Sequence, residues 1–156
     1  QVYQWEEEKD HPGHRIRIVE GNGCDLKYAD NSYPIVFSNS VIEHVGDFEA
    51  QQAFAREVRR VGRKLWIQTP AYGCPIEPHY LTPFVHWYPK WFRRCTARYF
   101  TVWGLLEKPT KAEIDDMVDH TRLLTKAEMR TLFPDCEIRT ERLLGFIPKS
   151  YIAIRR

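Results

Sequence analysis

Apolar and charged residues alternate over residues 15–20 (RIRIVE), a period of two that predicts a half-buried strand. Gly21-Asn22-Gly23 breaks the pattern, and Ala29-Asp30-Asn31-Ser32 is a turn cluster. Ile35-Val36-Phe37 is an unbroken apolar run, which predicts a short strand covered on both faces. The period then lengthens. Phe48, Ala53, Phe54, Val58 and Val61 recur at helical spacing, with Asp47 placed to cap the start. Arg56, Arg59 and Arg60 suit the negative end of that helix, and Gly62 stops it. Residues 64–69 (KLWIQT) form the next strand, closed by Pro70. Strand, loop, strand, helix, strand is the rhythm of an α/β fold with parallel pairing.

Residues 75–100 break with this rhythm. They are rich in proline, aromatic and basic residues, including Trp87, Tyr88, Trp91 and Tyr99, and predict an insertion of short helices over the sheet's edge. Residues 111–120 and 125–133 are helical stretches, the second with Thr125 and Glu128 in capping-box spacing. Residues 136–144 and 150–155 read as two strands joined through Gly145 and Pro148, a hairpin-like antiparallel pair. No repeat, low-complexity tract or linker divides the chain, so residues 1–156 are expected to be a single domain.

Composition excludes some classes. At 43% hydrophobic and 28% charged, the chain reads as globular rather than disordered. No apolar run reaches the roughly 20 residues of a membrane helix, and residues 1–10 are acidic and polar rather than signal-like. A net charge of +2 carries no argument for nucleic acid. Cys24, Cys74, Cys95 and Cys136 lie far apart without C-x-x-C spacing, as expected for reduced thiols in a cytoplasmic protein.

Two segments read together carry a resemblance. Residues 19–37 (VEGNGCDLKYADNSYPIVF) and 38–45 (SNSVIEHV) resemble the third and fourth strands of class I S-adenosylmethionine-dependent methyltransferases of the small-molecule type. Later pieces fall in the same order: Glu57-Val58-Arg59-Arg60-Val61 before Gly62, the strand ending Gln68-Thr69-Pro70, and the final strand pair. The resemblance runs from about Arg15 to the end. It implies a Rossmann-like methyltransferase sheet, mostly parallel with an antiparallel terminal strand pair, and S-adenosylmethionine as cofactor. The implied function is methyl transfer to an unknown, small-molecule acceptor. The alternative is a non-catalytic remnant of the fold serving as a binding or dimerisation module. A nucleic-acid binder using Arg93, Arg94 and Arg98 ranks third.

The resemblance implies roles by position. An adenine edge offers an exocyclic amine and a ring nitrogen, which Asn22 (side chain, where the family has aspartate) and Gly23 (backbone N–H) would meet. Ser38 and Asn39 stand at the carboxyl end of a strand, where open α/β sheets bind ligands. Glu43 and His44 would face the methionine end or the acceptor, and His44 and His86 are the candidates for a base. Plainer readings stand beside these. Gly21-Asn22-Gly23 turns with or without a ligand, Glu43 can serve only the helix dipole, and His44 can be a helix-start hydrogen-bonding residue. Glu77, His79 and His86 can be drawn as a metal set, but loop residues explain them as well, so no metal is expected. The aromatics at 87, 88 and 91 are expected to pack in the core or a lid.

Gly21-x-Gly23 is followed within about fifteen residues by another strand rather than a helix, so it is not the family's cofactor loop. That loop, the first two strands and the ribose-binding acid are expected to lie before this segment. In the family order 3-2-1-4-5-7-6 the strand at 35–37 then has a bare edge. Three ways to cover it stay open: residues 15–20 slide in beside it, a second copy forms a homodimer, or the missing N-terminal segment of a longer chain fills the gap.

Overall fold

The structure, a computed structural model, describes residues 19–77, 80 and 82–156. In chain order the main elements are β1 (Tyr33–Asn39), α1 (Phe48–Val61), β2 (Gly62–Pro70), β3 (Ile76–Glu77) and β4 (Thr82–Pro83). There follow α2 (Lys90–Phe100), α3 (Val102–Glu107), α4 (Lys111–His120), α5 (Lys126–Leu132), β5 (Glu137–Leu143) and β6 (Ile147–Arg155). The four-stranded sheet has the order β1-β2-β6-β5. β1 and β2 pair in parallel, while β6 is antiparallel to both of its neighbours. Three strands therefore point one way and β6 against them, the fourth, fifth, seventh and sixth places of the expected methyltransferase order. The α/β, Rossmann-like expectation is met, including its antiparallel terminal pair.

A parallel pair needs a crossover, and α1 supplies it. Asp47 accepts the Ala50 N–H at 2.9 Å, as its cap position predicts. The buried stripe of α1 is Gln51, Phe54, Ala55, Val58 and Val61, whereas Phe48 and Ala53 are only half-buried. Gln51 can occupy an apolar face because its amide donates to the carbonyls of Ile42 (3.1 Å) and Arg122 (2.8 Å). The core joins this face to Leu65 and Ile67 of β2, Leu132 and Phe133 at the end of α5, and Ala153 of β6. Burying each such large side chain is worth roughly 1.5–3 kcal/mol. Gly62 lets the strand pass close to its neighbours: a Cβ there would meet Val36 Cγ2 at 2.7 Å and Leu65 Cδ2 at 2.8 Å, and those side chains would have to shift.

Two strand expectations change. β1 is not covered on both faces: Ile35 and Phe37 are 62% and 67% exposed. Only Val36 and Ser38 turn toward α1, and Phe37 merely stacks on Trp66 at 4.8 Å. The apolar run is short because it is a one-sided edge strand among the described residues. Of the strand expected at 15–20, residues 15–18 lie outside the described residues, and Val19 and Glu20 belong to no strand.

Tyr80 and the elements from β4 through α4 build a smaller unit. Tyr80, Val85, Ala97, Ile114 and Val118 form a second core with Trp103 and Met117 against it. Ion pairs from Arg94 to Asp115 (3.0 Å) and Asp119 (2.7 Å) fasten α2 to α4. Thr110–Glu113 and Thr125–Glu128 both close capping boxes. The core half of the aromatic expectation is corrected here, because Trp87, Tyr88 and Trp91 are 47%, 49% and 65% exposed. Tyr80 is the buried aromatic of this segment, at 1% exposure. No helix among the described residues is long and apolar enough to cross a membrane.

Candidate functional site

The chain leaves β1 and β2 at their carboxyl ends, and two loops there build the floor of a cleft. After β1, Ser40 (φ 54°) and Gly46 (φ 122°) take left-handed conformations around a 3-10 turn, Ile42–His44. Gly46 suits its position because residues with a Cβ disfavour that φ. Glu43 is completely buried and accepts from Thr69 Oγ1, at the end of β2, at 2.9 Å. Its backbone carbonyl accepts from Arg122 N at 2.8 Å. Arg122 in turn donates to Gln51 Oε1 at 2.7 Å, pairs with Glu128 and lies 5.0 Å over the Phe48 ring. After β2, Tyr72 N donates to Leu124 O at 2.9 Å, beside a bridge between Ala71 and Leu124. The connector from α4 to α5 is thereby locked against both loops.

The segment from 80 through α2 forms the opposite wall. Between floor and cover lies a cleft of about 440 Å³, reached by Tyr72, His86, Arg93, Thr121 and Arg122 among others. His86 Nε2 lies 2.9 Å from the Tyr72 carbonyl, and since a carbonyl only accepts, Nε2 donates. The acids of the cleft are committed. Arg94 and then Lys90 hold the Asp119 carboxyl below its usual range. Burial pushes Glu128 up, but the Thr125 N–H and Arg122 outweigh it and the net shift is downward. The Arg93 side chain, by contrast, makes no hydrogen bond or ion pair with any described residue, and its Nε is buried.

The structure brings the expected site residues partly together. Asn22 Oδ1 accepts from Cys24 N at 3.0 Å, so one of its lone pairs closes an Asx turn. That turn rests on α1: Cys24 Sγ donates to Ala50 O at 3.4 Å, and a Cβ on Gly23 would meet the Phe54 ring at 2.9 Å. A larger residue at Gly23 would have to push the Phe54 ring aside. Ser38 is buried, with a hydroxyl that has no partner, and Asn39 beside it is exposed. Glu43 lies under the floor rather than in the cleft. His44 is exposed, with Nδ1 3.4 Å from Thr121 Oγ1 on the cleft wall, whereas His86 lines the cleft itself. Of the possible metal set, His79 and the Glu77 side chain lie outside the described residues, and no cluster of three metal-binding side chains occurs among those described.

Sequence reasoning missed Gln51, Arg122 and Tyr72, and it placed Arg93 only among the arginines of a nucleic-acid binder. Only Gln51 carried a signal, as a polar residue on the apolar stripe of α1.

Comparison with known proteins gives one family match. Residues 1–65 match the family model described as a methyltransferase domain. The match starts earlier than the resemblance read from the residues and ends within β2. No curated protein matches the chain. Among solved structures it is similar to a candidate O-methyltransferase from Nostoc punctiforme, with 12% identity and a TM-score of 0.45, over 88% of this chain and 35% of that one. It is also similar to a SAM-dependent methyltransferase from Methanosarcina mazei, with 17% identity and a TM-score of 0.45, over 86% of this chain and 63% of that one. The chain therefore spans about a third of the first structure and less than two thirds of the second.

Proposed function

We propose that this methyltransferase-type domain uses the carboxyl edge of its sheet to bring S-adenosylmethionine against a small acceptor held in the cleft beneath α2. The observation that carries the reading is the place of the cleft: the loops leaving β1 and β2 line it together with the cover. S-adenosylmethionine supplies a methyl group on a sulfonium sulfur, which an oxygen, nitrogen or carbon nucleophile takes while the electron pair of the broken bond stays on sulfur. The chain's residues fit a nucleoside at that edge. Asn22 Oδ1 keeps a second lone pair for the adenine amine, the Gly23 N–H meets a ring nitrogen, and the partnerless Ser38 hydroxyl offers a polar contact near Asn39. Glu43 acts by position, pinning the first loop to the end of β2 through Thr69. His86 takes the acceptor's proton at Nδ1, the ring nitrogen left to accept once Nε2 donates to Tyr72 O, with His44 in reserve at the rim. Positioning of the reactants supplies most of the rate. The four unbridged thiols support a cytoplasmic setting.

The adenine contacts amount to about two hydrogen bonds of roughly 0.5–1.5 kcal/mol each, so these residues alone bind weakly. Saturation-transfer NMR suits that regime. S-adenosylmethionine mixed with the chain is expected to show transfer to its adenine protons, reduced in Asn22→Ala. Absence of transfer, or transfer indifferent to that substitution, sinks the assignment. The second reading, a dimerising module, draws on the exposed Ile35 and Phe37 of β1. A second copy pairing along β1 would cover them. Sedimentation as a monomer at tens of micromolar would remove it.

A further inference from the structure

The charges around the cleft do not pair off evenly. Lys90 bonds Asp119 at 3.1 Å, Arg94 takes both Asp115 and Asp119, and Arg122 takes Glu128. Asp47 caps α1. Arg93 lines the same space, with a buried Nε that has no acceptor. A buried charged donor left without a partner is costly, so such a group is kept where something else completes it.

Its place in the helix sharpens the point. Arg93 N donates to Pro89 O at 3.1 Å, which puts Arg93 in the first turn of α2. That turn contains no acid, and no side chain caps it. The first turns of α1, α4 and α5 each carry a glutamate. Two cations, Lys90 and Arg93, thus stand at the positive end of an eleven-residue helix, against its dipole. Asp119 answers the first; no described residue answers the second.

We propose that Arg93 binds an oxyanion, a carboxylate or phosphate, on the molecule that occupies the cleft. The planar guanidinium presents parallel N–H donors that match two oxygens of either group. Tyr72 and Tyr80 line the remaining space, so the ligand class is a small organic acid or phosphate ester with an apolar body. In the methyltransferase reading, on which the word acceptor rests, this anion anchors the acceptor while its nucleophilic atom lies toward His86.

The test uses the full chain without cofactor, so it stands or falls separately from methyl transfer. Benzoate, phenyl phosphate and the neutral benzyl alcohol are titrated by NMR chemical shift, following the amides of Tyr72 and Arg93. Either anion is expected to bind at least about tenfold tighter than the alcohol, the size of one charge-assisted contact, and the order of the two anions identifies the group. Arg93→Gln erases the preference, Arg93→Lys retains part of it, and Arg139→Gln on β5 leaves it intact. Should Arg93→Gln not fold, salt decides, since the wild-type preference must weaken as sodium chloride rises. Equal binding of alcohol and anions, an unchanged preference in a folded Arg93→Gln, or a preference indifferent to salt each overturns the proposal.

Discussion

Replacing Glu57 by glutamine should loosen the turn that carries Asn22 and Gly23, and the structure sets the size of the effect. Glu57 Oε2 accepts from Leu26 N at 2.8 Å and from Arg60 Nη2 at 2.7 Å, while Oε1 accepts from Arg60 Nε at 2.8 Å. Arg60 then reaches Tyr28 O (2.7 Å), Asp30 Oδ1 (2.8 Å) and Leu26 O (2.9 Å). One ion pair on α1 thereby clamps residues 26–30. The Arg60 side chain holds the Glu57 carboxyl down to about 2, against an ordinary 4.5; partial burial opposes it and the Leu26 N–H assists. At 1.36 kcal/mol per pH unit that difference corresponds to about 3.4 kcal/mol. The pair faces solvent in part, with Arg60 31% exposed, and screening reduces such interactions severalfold. We expect Glu57→Gln to cost about 1–2 kcal/mol at pH 7. Because the folded value lies below the ordinary one, the stabilisation is complete above about pH 4.5 and disappears as pH falls toward 2. Urea unfolding followed by circular dichroism at pH 7, 5, 4 and 3 measures both curves, and their gap should close with acid. A gap that stays constant across that range would refute the charge argument and leave only lost packing.

Three further outcomes follow from the same contacts. Thr69→Val removes a donor to the buried Glu43 carboxyl group and should cost about 1–3 kcal/mol in the same unfolding assay; unchanged stability would show that Thr69 does not support it. Gly104→Ala would place a Cβ inside the Ala97 carbonyl and 2.6 Å from Arg98 O, so α2 and α3 must separate. A loss of about 1–3 kcal/mol is expected, with NMR shift changes concentrated around Tyr80 and Trp103; a folded variant with unshifted α2 signals contradicts it. Residues 75–100 should exchange amide hydrogens faster than β2, since their small second core is separate from the main one and a cover opens locally. Protection equal to that of β2 would make the segment a fixed wall, and the acceptor would then have to enter from the rim near His44.

What the sequence determined by itself was local in origin. The Asp47 cap, the Thr125–Glu128 box and the limits of α4 at Lys111 and His120 depend on groups within a few residues of one another. The β5–β6 hairpin was legible for the same reason, through alternation and the turn at Gly145. The methyltransferase resemblance was legible because turn and strand-end residues at fixed spacing make a pattern even before they fold. Tertiary structure decided the rest. Gln51 and Arg122 are 71 residues apart, and Glu43 and Thr69 are 26 apart. Neither pair leaves a periodic trace, so the floor of the cleft could not be read in advance. The exposure of Ile35 and Phe37 likewise depends on which elements reach the two faces of β1, whereas an apolar run only states a preference. Arg93 shows the difference most clearly. In sequence it is one basic residue among several, and folding pairs Lys90, Arg94 and Arg122 with acids while leaving its guanidinium to the cleft. Local chemistry chose the elements, and long-range pairing chose which charge remained available for a ligand.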